Sequence, residues 1–236
     1  MNKFFSFFKR NKYFKASNLN VITKSKKYYV KSYIFNNNLI KEMNAINPQS
    51  AGRFIEDIVY WLITLTTPTY YQNEWCKPNN MLLYVLNNIV PKHPRMKDLC
   101  NIKYTELTNL LSYLNFIVKE CINPNKEYIS VYHNEDLSFK VSKCCRVNNY
   151  NCISDITTDD TIIDIKVVKH NMLNQHKTEL TSVGLKYYNQ MMAYASGFYR
   201  KYDKWPKQLI VLNFYTCEVI SWKPSRKDYL KFNKML

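Results

Sequence analysis

The stretch ISDITTDDTIIDIKVV, residues 153–168, indicates a β-hairpin that carries charged groups. Its two halves are rich in β-branched residues, and residues 158–160 supply turn chemistry between them. Asp155 falls on the first strand, and Asp164 and Lys166 fall on one face of the second. Strands of Ile and Val seldom carry charges without a functional reason. Two carboxylates and an ammonium suit a hard divalent cation, a bound water and a phosphate, and the alternative is an exposed strand face with a salt bridge.

The hairpin lies within a chain whose other segments alternate between helical and strand patterns. A helix is predicted over 50–65, with Ser50 as its N-cap and Pro68 at its end, because apolar residues recur there at helical spacing. Further helices are predicted over 81–90, 104–122 and 181–202, and further strands within 19–35 and over 127–133, 137–143, 208–216 and 218–222. This order predicts an α/β fold with a central mixed sheet flanked by helices.

Length and charge set the expected organisation. The 236 residues suffice for one large domain with an elaboration. We predict a basic arm with a strand over 1–48 and a main domain over 49–236 with a helical insertion at about 66–125. Lys and Arg number 34 against 18 acids, for a net charge of +16, and residues 1–41 contain ten Lys or Arg and no acid. This excess suits a polyanion, most simply nucleic acid, whereas AT-rich coding is the alternative source of lysine.

The cellular compartment and the role of the histidines are predicted from individual residue types. No apolar run approaches the length of a membrane span, so no membrane partner is expected. The seven cysteines form no CxxC pair and no signal peptide precedes them, which favours reduced thiols and an intracellular location, cytoplasm or nucleus. A mitochondrial presequence is the alternative for the acid-free start, although arginine is scarce there. His93, His133, His170 and His176 lack metal-ligand spacing, so we predict surface or loop histidines.

The order of the charged motifs resembles the PD-(D/E)XK nuclease superfamily, above all its RecB-type exonucleases and their viral and phage relatives. That pattern places an aspartate on one strand, Asp-x-Lys on the next and Gln-x-x-x-Tyr on a following helix. Asp155, Asp164, Lys166, Gln190 and Tyr194 stand in this order here. Gln190 and Tyr194 are four residues apart and so share one helix face.

The resemblance covers residues 137–222 well and 50–65 loosely, and it implies a restriction-endonuclease-like core. The sequence departs from the family pattern in several respects. Ser154 precedes Asp155 where the family name has proline, and Asp164 follows only nine residues after Asp155. The cysteine set that holds an iron–sulfur cluster in some relatives is missing, and no helicase motif is present.

The resemblance also implies a role for each matching residue. It assigns metal binding to Glu56, Asp155, Asp164 and the backbone carbonyl of Ile165, with Asp57 as a weaker alternative to Glu56. Lys166 would orient or activate the attacking water, and Gln190 and Tyr194 would brace the site and contact nucleic acid. An all-oxygen ligand set favours Mg²⁺ or Mn²⁺ over zinc.

The expected function is therefore a metal-dependent nuclease that hydrolyses phosphodiester bonds of DNA, as an exonuclease or a repair and recombination nuclease. One alternative from a different class is a nucleic-acid-binding module that keeps the fold without turnover. A second is an RNA-directed nuclease with the same site. Neither the polarity of cleavage nor the protein partners follow from the sequence.

Overall fold

The computed structural model describes residues 28–32, 38–64, 78–121, 130–143, 146–176 and 179–235. Most of the predicted basic arm, the stretch around Pro68 and the end of the predicted insertion lie outside these residues. The helices are α1 Asn38–Ile46, α2 Pro48–Thr64, α3 Pro78–Tyr84, α4 Pro94–Ile102, α5 Tyr104–Cys121, α6 Ser182–Tyr202 and α7 Arg226–Met235. The strands are β1 Tyr28–Ser32, β2 Val131–Asp136, β3 Phe139–Lys143, β4 Arg146–Tyr150, β5 Ile153–Thr158, β6 Thr161–Lys166, β7 Gln208–Asn213 and β8 Glu218–Trp222.

Six strands form one mixed sheet in the order β1-β8-β7-β6-β5-β2, while β3 and β4 form a separate hairpin. The neighbours β6 and β7 are parallel, and α6 connects them. The remaining neighbours in the sheet are antiparallel. The predicted α/β class with a mixed sheet flanked by helices is confirmed, and β6 lies near the middle of the sheet.

Each face of the sheet is covered by its own helices. Ile163, Ile165 and Ile210 pack into a cluster with the buried residues of α1 to α5. Ile162 and Val211, their alternating neighbours, pack into a second cluster with buried residues of α6 and α7. Because side chains alternate along a strand, Asp164 and Lys166 project from the α6 face of β6. Two apolar layers therefore enclose a central strand that carries charged residues on one side.

The N-terminal region and the predicted insertion share one core with the main domain. In α1, Leu39, Ile40 and Met43 are buried in the same cluster as Phe54 of α2. The Asn44 side chain of α1 donates a buried hydrogen bond of 2.8 Å to the carbonyl of Val167, just after β6. Strand β1, which the sequence predicts within 19–35, pairs with β8. The boundary at 48 therefore does not separate two packing units among the described residues.

Two helix starts differ from the prediction. Helix α2 begins at Pro48, and the side-chain oxygen of Asn47 accepts a hydrogen bond of 2.8 Å from the backbone N–H of Ser50. Asn47 is therefore the N-cap and Ser50 is the third helical residue, so the prediction of Ser50 as the cap was wrong. Helix α4 begins at Pro94, where the sequence analysis predicts no element. Proline is suited to the first helical position because its missing N–H has no partner there anyway.

Helix α6 approaches the sheet layer closely at a glycine. A Cβ on Gly197 would lie 1.8 Å from the carbonyl oxygen of Leu137, so no other residue fits without a shift of the helix. Thr181 caps the N-terminus by accepting a hydrogen bond of 3.2 Å from the N–H of Gly184. These contacts set the depth at which α6 lies over β6, and thereby place its side chains over Asp164.

Candidate functional site

Asp155 and Asp164 lie close together on the two strands of the central hairpin. The pairing of the strands ends at Ile156 and Ile163, and Asp155 and Asp164 are the next residue on each strand. The Asp155 carboxylate accepts a hydrogen bond of 2.6 Å from the backbone N–H of Ile165. This bond holds Asp155 against β6, so the hairpin brings the two predicted carboxylates together.

Asp164 and Lys166 form a buried ion pair. The Lys166 Nζ lies 2.6 Å from Oδ2 of Asp164, and the two side chains are 18% and 1% exposed. Neither oxygen of Asp164 has a hydrogen-bond partner with good geometry among the described residues. The Lys166 ammonium also lies 5.2 Å from the ring centroid of Tyr187 on α6. Asp164 thus combines full burial with spare acceptor capacity, which is costly in a site with no ligand.

The carboxylates affect one another's protonation. Burial raises the pKa of Asp155 to about 7, the charges of Asp164 and Glu56 add to the rise, and the bond from Ile165 and the charge of Lys166 oppose it. Burial also raises the pKa of Asp164, although Lys166 opposes it. Burial acts to lower the pKa of Lys166, but Asp164 outweighs it and the pKa is raised overall. The site is short of positive charge when all its carboxylates are ionised.

Glu56 and Asp57 of α2 are each held by a histidine. His133 Nε2 lies 2.8 Å from a carboxylate oxygen of Glu56, and the His133 ring stacks on Tyr60 at 4.6 Å between centroids. His93 Nε2 lies 2.8 Å from Asp57. Glu56 acts electrostatically on both Asp155 and Asp164, whereas Asp57 is not among the causes of either pKa shift. Of the two acids, Glu56 is therefore the one that adjoins the central hairpin.

The prediction of surface or loop positions was wrong for His133, which lies within β2, whereas His93 lies in the turn before α4 as predicted. The side chains of His93 and His133 are 10% and 24% exposed and each contacts a carboxylate. His170 and His176 are exposed, as expected. The partners of His93 and His133 lie 36 and 77 residues away in the chain. No local spacing in the sequence could have indicated either pair.

Gln190 and Tyr194 lie on the α6 face that covers the hairpin. The Gln190 side-chain amide donates a hydrogen bond of 2.5 Å to the Tyr194 hydroxyl. Burial, followed by the negative charge of Asp164, raises the pKa of Tyr194, so this hydroxyl lies near the carboxylates. Gln190 is connected to the site through Tyr194. Tyr187, one turn earlier, is a contact of Lys166.

The residues offer an incomplete but chemically suitable metal site. No group of three or more His, Cys, Asp or Glu side chains in the described ranges is close enough together to hold a metal ion. Glu56 is turned to His133 and Asp155 to Ile165, which accounts for their separation. The carboxylate oxygens of buried Asp164 and the neighbouring Asp155 are nevertheless hard donors of the kind that Mg²⁺ and Mn²⁺ prefer, and Oδ1 of Asp164 has no hydrogen-bond partner among the described residues. These two residues fit such a cation.

Three comparisons with known proteins bear on the identity of the chain. No protein-family model, no curated protein and no solved structure matches it significantly. Among the described helices, none is long and apolar enough to cross a membrane. Cys100, Cys152 and Cys217 are buried. Any assignment of function therefore depends on the chemistry of the residues themselves.

Proposed function

We propose that this chain is a metal-dependent nuclease on a restriction-endonuclease-like core, which hydrolyses phosphodiester bonds of DNA. The observation that carries the proposal is the buried Asp164–Lys166 pair beside Asp155 on a central hairpin. Burying charged groups on strands that otherwise carry no charge has no structural benefit that hydrophobic residues would not supply better. A role in binding a cation and a phosphate accounts for all three.

Each residue has a role in the proposed reaction. Asp155, Asp164 and the carbonyl of Ile165 would hold Mg²⁺ or Mn²⁺, and Glu56 would join them on release from His133. The cation would lower the pKa of a bound water and offset charge on the phosphate. Lys166, held by Asp164, would present its ammonium to the scissile phosphate or to the attacking water.

The α6 residues support the site from the other side. Gln190 and Tyr194 form one hydrogen-bonded unit above the carboxylates, and we assign to it the bracing of the site and contact with nucleic acid. Tyr187 places its ring beside the Lys166 ammonium, an arrangement that is attractive for a cation and limits its movement. Lys166 is thereby fixed between a carboxylate and a ring.

A nucleic-acid-binding module without turnover is the second candidate. It is favoured by the hydrogen bond that turns Glu56 to His133 and by the lack of a preassembled ligand group in the described ranges. Such a module would bind nucleic acid equally well with and without a divalent cation. An RNA-directed nuclease shares the proposed chemistry and differs in substrate alone.

The test is a cleavage assay of the full chain on DNA with Mg²⁺ and with Mn²⁺, comparing the wild type with Asp164→Ala. Metal catalysis contributes several kcal/mol, so the variant should cleave about 10³-fold more slowly. Asp159→Ala, which removes an aspartate from the turn of the same hairpin, is the matched control and should cleave normally. Wild-type cleavage by Asp164→Ala would refute the proposal, provided circular dichroism shows that both variants are folded.

A further inference from the structure

A groove of about 670 Å³ opens beside Glu56 and Asp57 of α2. Its walls come from α2, from the turn that leads into α4, from the middle of β2 and from the start of β5. The residues that line it include Arg53, Glu56, Lys92, Arg95, Asn134 and Ile153. The turn and α4 belong to the helical segment for which the sequence offers no motif, so this segment supplies one wall of the groove.

Three cations converge on this groove. Arg53 of α2, Lys92 of the turn and Arg95 of α4 are all exposed. None of the three forms an ion pair with another described residue. The acids at the same groove are already engaged, Glu56 by His133 and Asp57 by His93. The groove therefore has unpaired positive charge available for an anion.

The groove leads to the central hairpin through Asn134. This residue has a left-handed backbone, with φ of 51°, in the middle of β2. The β2–β5 register pairs His133 with Ile156 and Glu135 with Ser154, which sets Asn134 opposite Asp155. Asn134 lines the groove on one side and adjoins Asp155 on the other. An anion bound along the groove would thus lie next to β2 at the point where this strand pairs with β5 beside Asp155.

The size of the groove favours a single strand. Pockets of about 300–1,000 Å³ enclose drug-sized ligands, which are comparable with one or two nucleotides and much smaller than a turn of duplex. Ile153, 55% exposed, gives this groove an apolar contact for a base beside the cations. Proteins that bind single strands combine these two features, a basic groove that follows the phosphates and surfaces on which bases pack.

We propose that this groove binds a single-stranded nucleic acid, with its phosphates on Arg53, Lys92 and Arg95, and leads the strand to the Asp155–Asp164 hairpin. The proposal rests on the proposed nuclease function for what happens at the end of the groove. The binding itself is a separate property. It requires neither a divalent cation nor an intact Lys166.

The test is fluorescence anisotropy in EDTA, with labelled single-stranded DNA, duplex DNA and single-stranded RNA and the full chain. The variant is Arg53→Gln/Lys92→Gln/Arg95→Gln. Each phosphate contact on a single strand contributes about 0.7 to the slope of log K against log salt. Loss of three contacts should lower the slope by about 2 and the affinity at about 0.1 M salt by about 100-fold.

The control variant removes three positive charges from another part of the surface. It is Arg226→Gln/Lys227→Gln/Lys231→Gln, and all three residues are exposed on α7. It should leave the affinity within a few-fold of wild type. An equal or larger loss in this control would overturn the groove as the binding site. Because all six residues are exposed, both variants should retain the wild-type melting temperature, and the single substitutions should each lower the slope by about 0.7.

The remaining outcomes separate the two proposals. If the wild type binds single strands more tightly than duplex and the groove variant loses this binding, the groove proposal is supported even where no cleavage occurs with Mg²⁺ or Mn²⁺. If the wild type cleaves but the groove variant keeps its affinity, the groove proposal is contradicted and the nuclease proposal is not. Preference for duplex would overturn the assignment to a single strand. The DNA and RNA arms identify which single strand is taken.

Discussion

Two aspartate–lysine ion pairs lie at opposite ends of β6, and their surroundings differ. Asp164 and Lys166 are 1% and 18% exposed, with 2.6 Å between Oδ2 and Nζ. Asp160 and Lys207 are 18% and 80% exposed, with 3.3 Å between the same atoms. Both pairs have the same chemistry, so the comparison isolates the effect of burial.

The buried pair is not explained by stability. Surface pairs contribute little in either direction, whereas two buried charges lose hydration that their attraction often fails to offset. The pKa of Asp164 remains raised in spite of Lys166, so here the attraction does not fully compensate for burial. A strand with a purely structural role would carry an apolar residue at this position. The difference between the two pairs is the physical argument for a function at Asp164.

The largest expected effect on stability is the loss of one partner from the buried pair. Lys166→Met leaves Asp164 buried without its cation, and the free energy of unfolding at pH 8 should fall by about 3–5 kcal/mol. Lys207→Met should change it by less than about 1 kcal/mol. Urea denaturation of both variants measures the difference. Equal losses would remove the distinction between the pairs.

The next effect is a pH-dependent gain in stability when Asp155 is replaced. Folding raises the pKa of Asp155 from 3.8 to about 7, so its stabilising contribution to the free energy of unfolding is fully present below pH 4. This contribution is lost as the pH rises through 7. In EDTA, Asp155→Asn should therefore be more stable than wild type by a few kcal/mol at pH 8 and equal to it near pH 4. Thermal melts across this range are the measurement. Asp159→Asn is the control, and a pH-independent difference for Asp155→Asn would contradict the account.

The smallest effect concerns His133. The hydrogen bond to Glu56 raises the His133 pKa against the opposing effect of burial, and the charges of Glu56 and Asp57 assist. The contribution of His133 to the free energy of unfolding is therefore fully present below pH 6.5, its pKa in the unfolded chain. It is lost as the pH rises through the higher pKa that His133 has in the folded protein. His133→Phe keeps a ring against Tyr60 and should lose about 1 kcal/mol at pH 6 and less at pH 9. Exposed His170→Phe is the control, and a larger loss at pH 9 than at pH 6 in His133→Phe would contradict this account.

The sequence predicts the parts of this fold that depend on local periodicity. Helix α6 was predicted over 181–202 and runs from Ser182 to Tyr202. The hairpin with Asp155, Asp164 and Lys166 was predicted with its charges correctly placed on the strands. In both cases the pattern lies within one element, and its partner is the next element along the chain.

The sequence analysis missed helices and strands in which polar residues interrupt the hydrophobic pattern. Helix α7 has a highly charged sequence and is not predicted, although Tyr229 is buried. Strand β4, with the sequence RVNNY, has two asparagines in place of β-branched residues. Helix α1 begins at the last of three consecutive asparagines, which favour turns. Tertiary packing stabilises these segments in spite of their weak local preference.

The contacts between distant elements could not be predicted. The groove joins α2 to a turn some forty residues later and to β2 and β5 beyond it. Arg53, Lys92 and Arg95 share no spacing that marks them as one group. The pairing of Glu56 with His133 likewise depends on how α2 packs against β2. A single sequence contains no record of such contacts, because they arise only when the helices assemble on the sheet.

The most direct test of the central claim is the cleavage of end-labelled single-stranded DNA, duplex DNA and RNA by wild type, Lys166→Met and Lys207→Met, with Mg²⁺ and with Mn²⁺. The account predicts metal-dependent cleavage that Lys166→Met slows by at least about 10²-fold and Lys207→Met leaves unchanged. Denaturation curves confirm that each variant is folded under the assay conditions. Undiminished cleavage by Lys166→Met, or nucleic-acid binding by wild type without any cleavage, would contradict it.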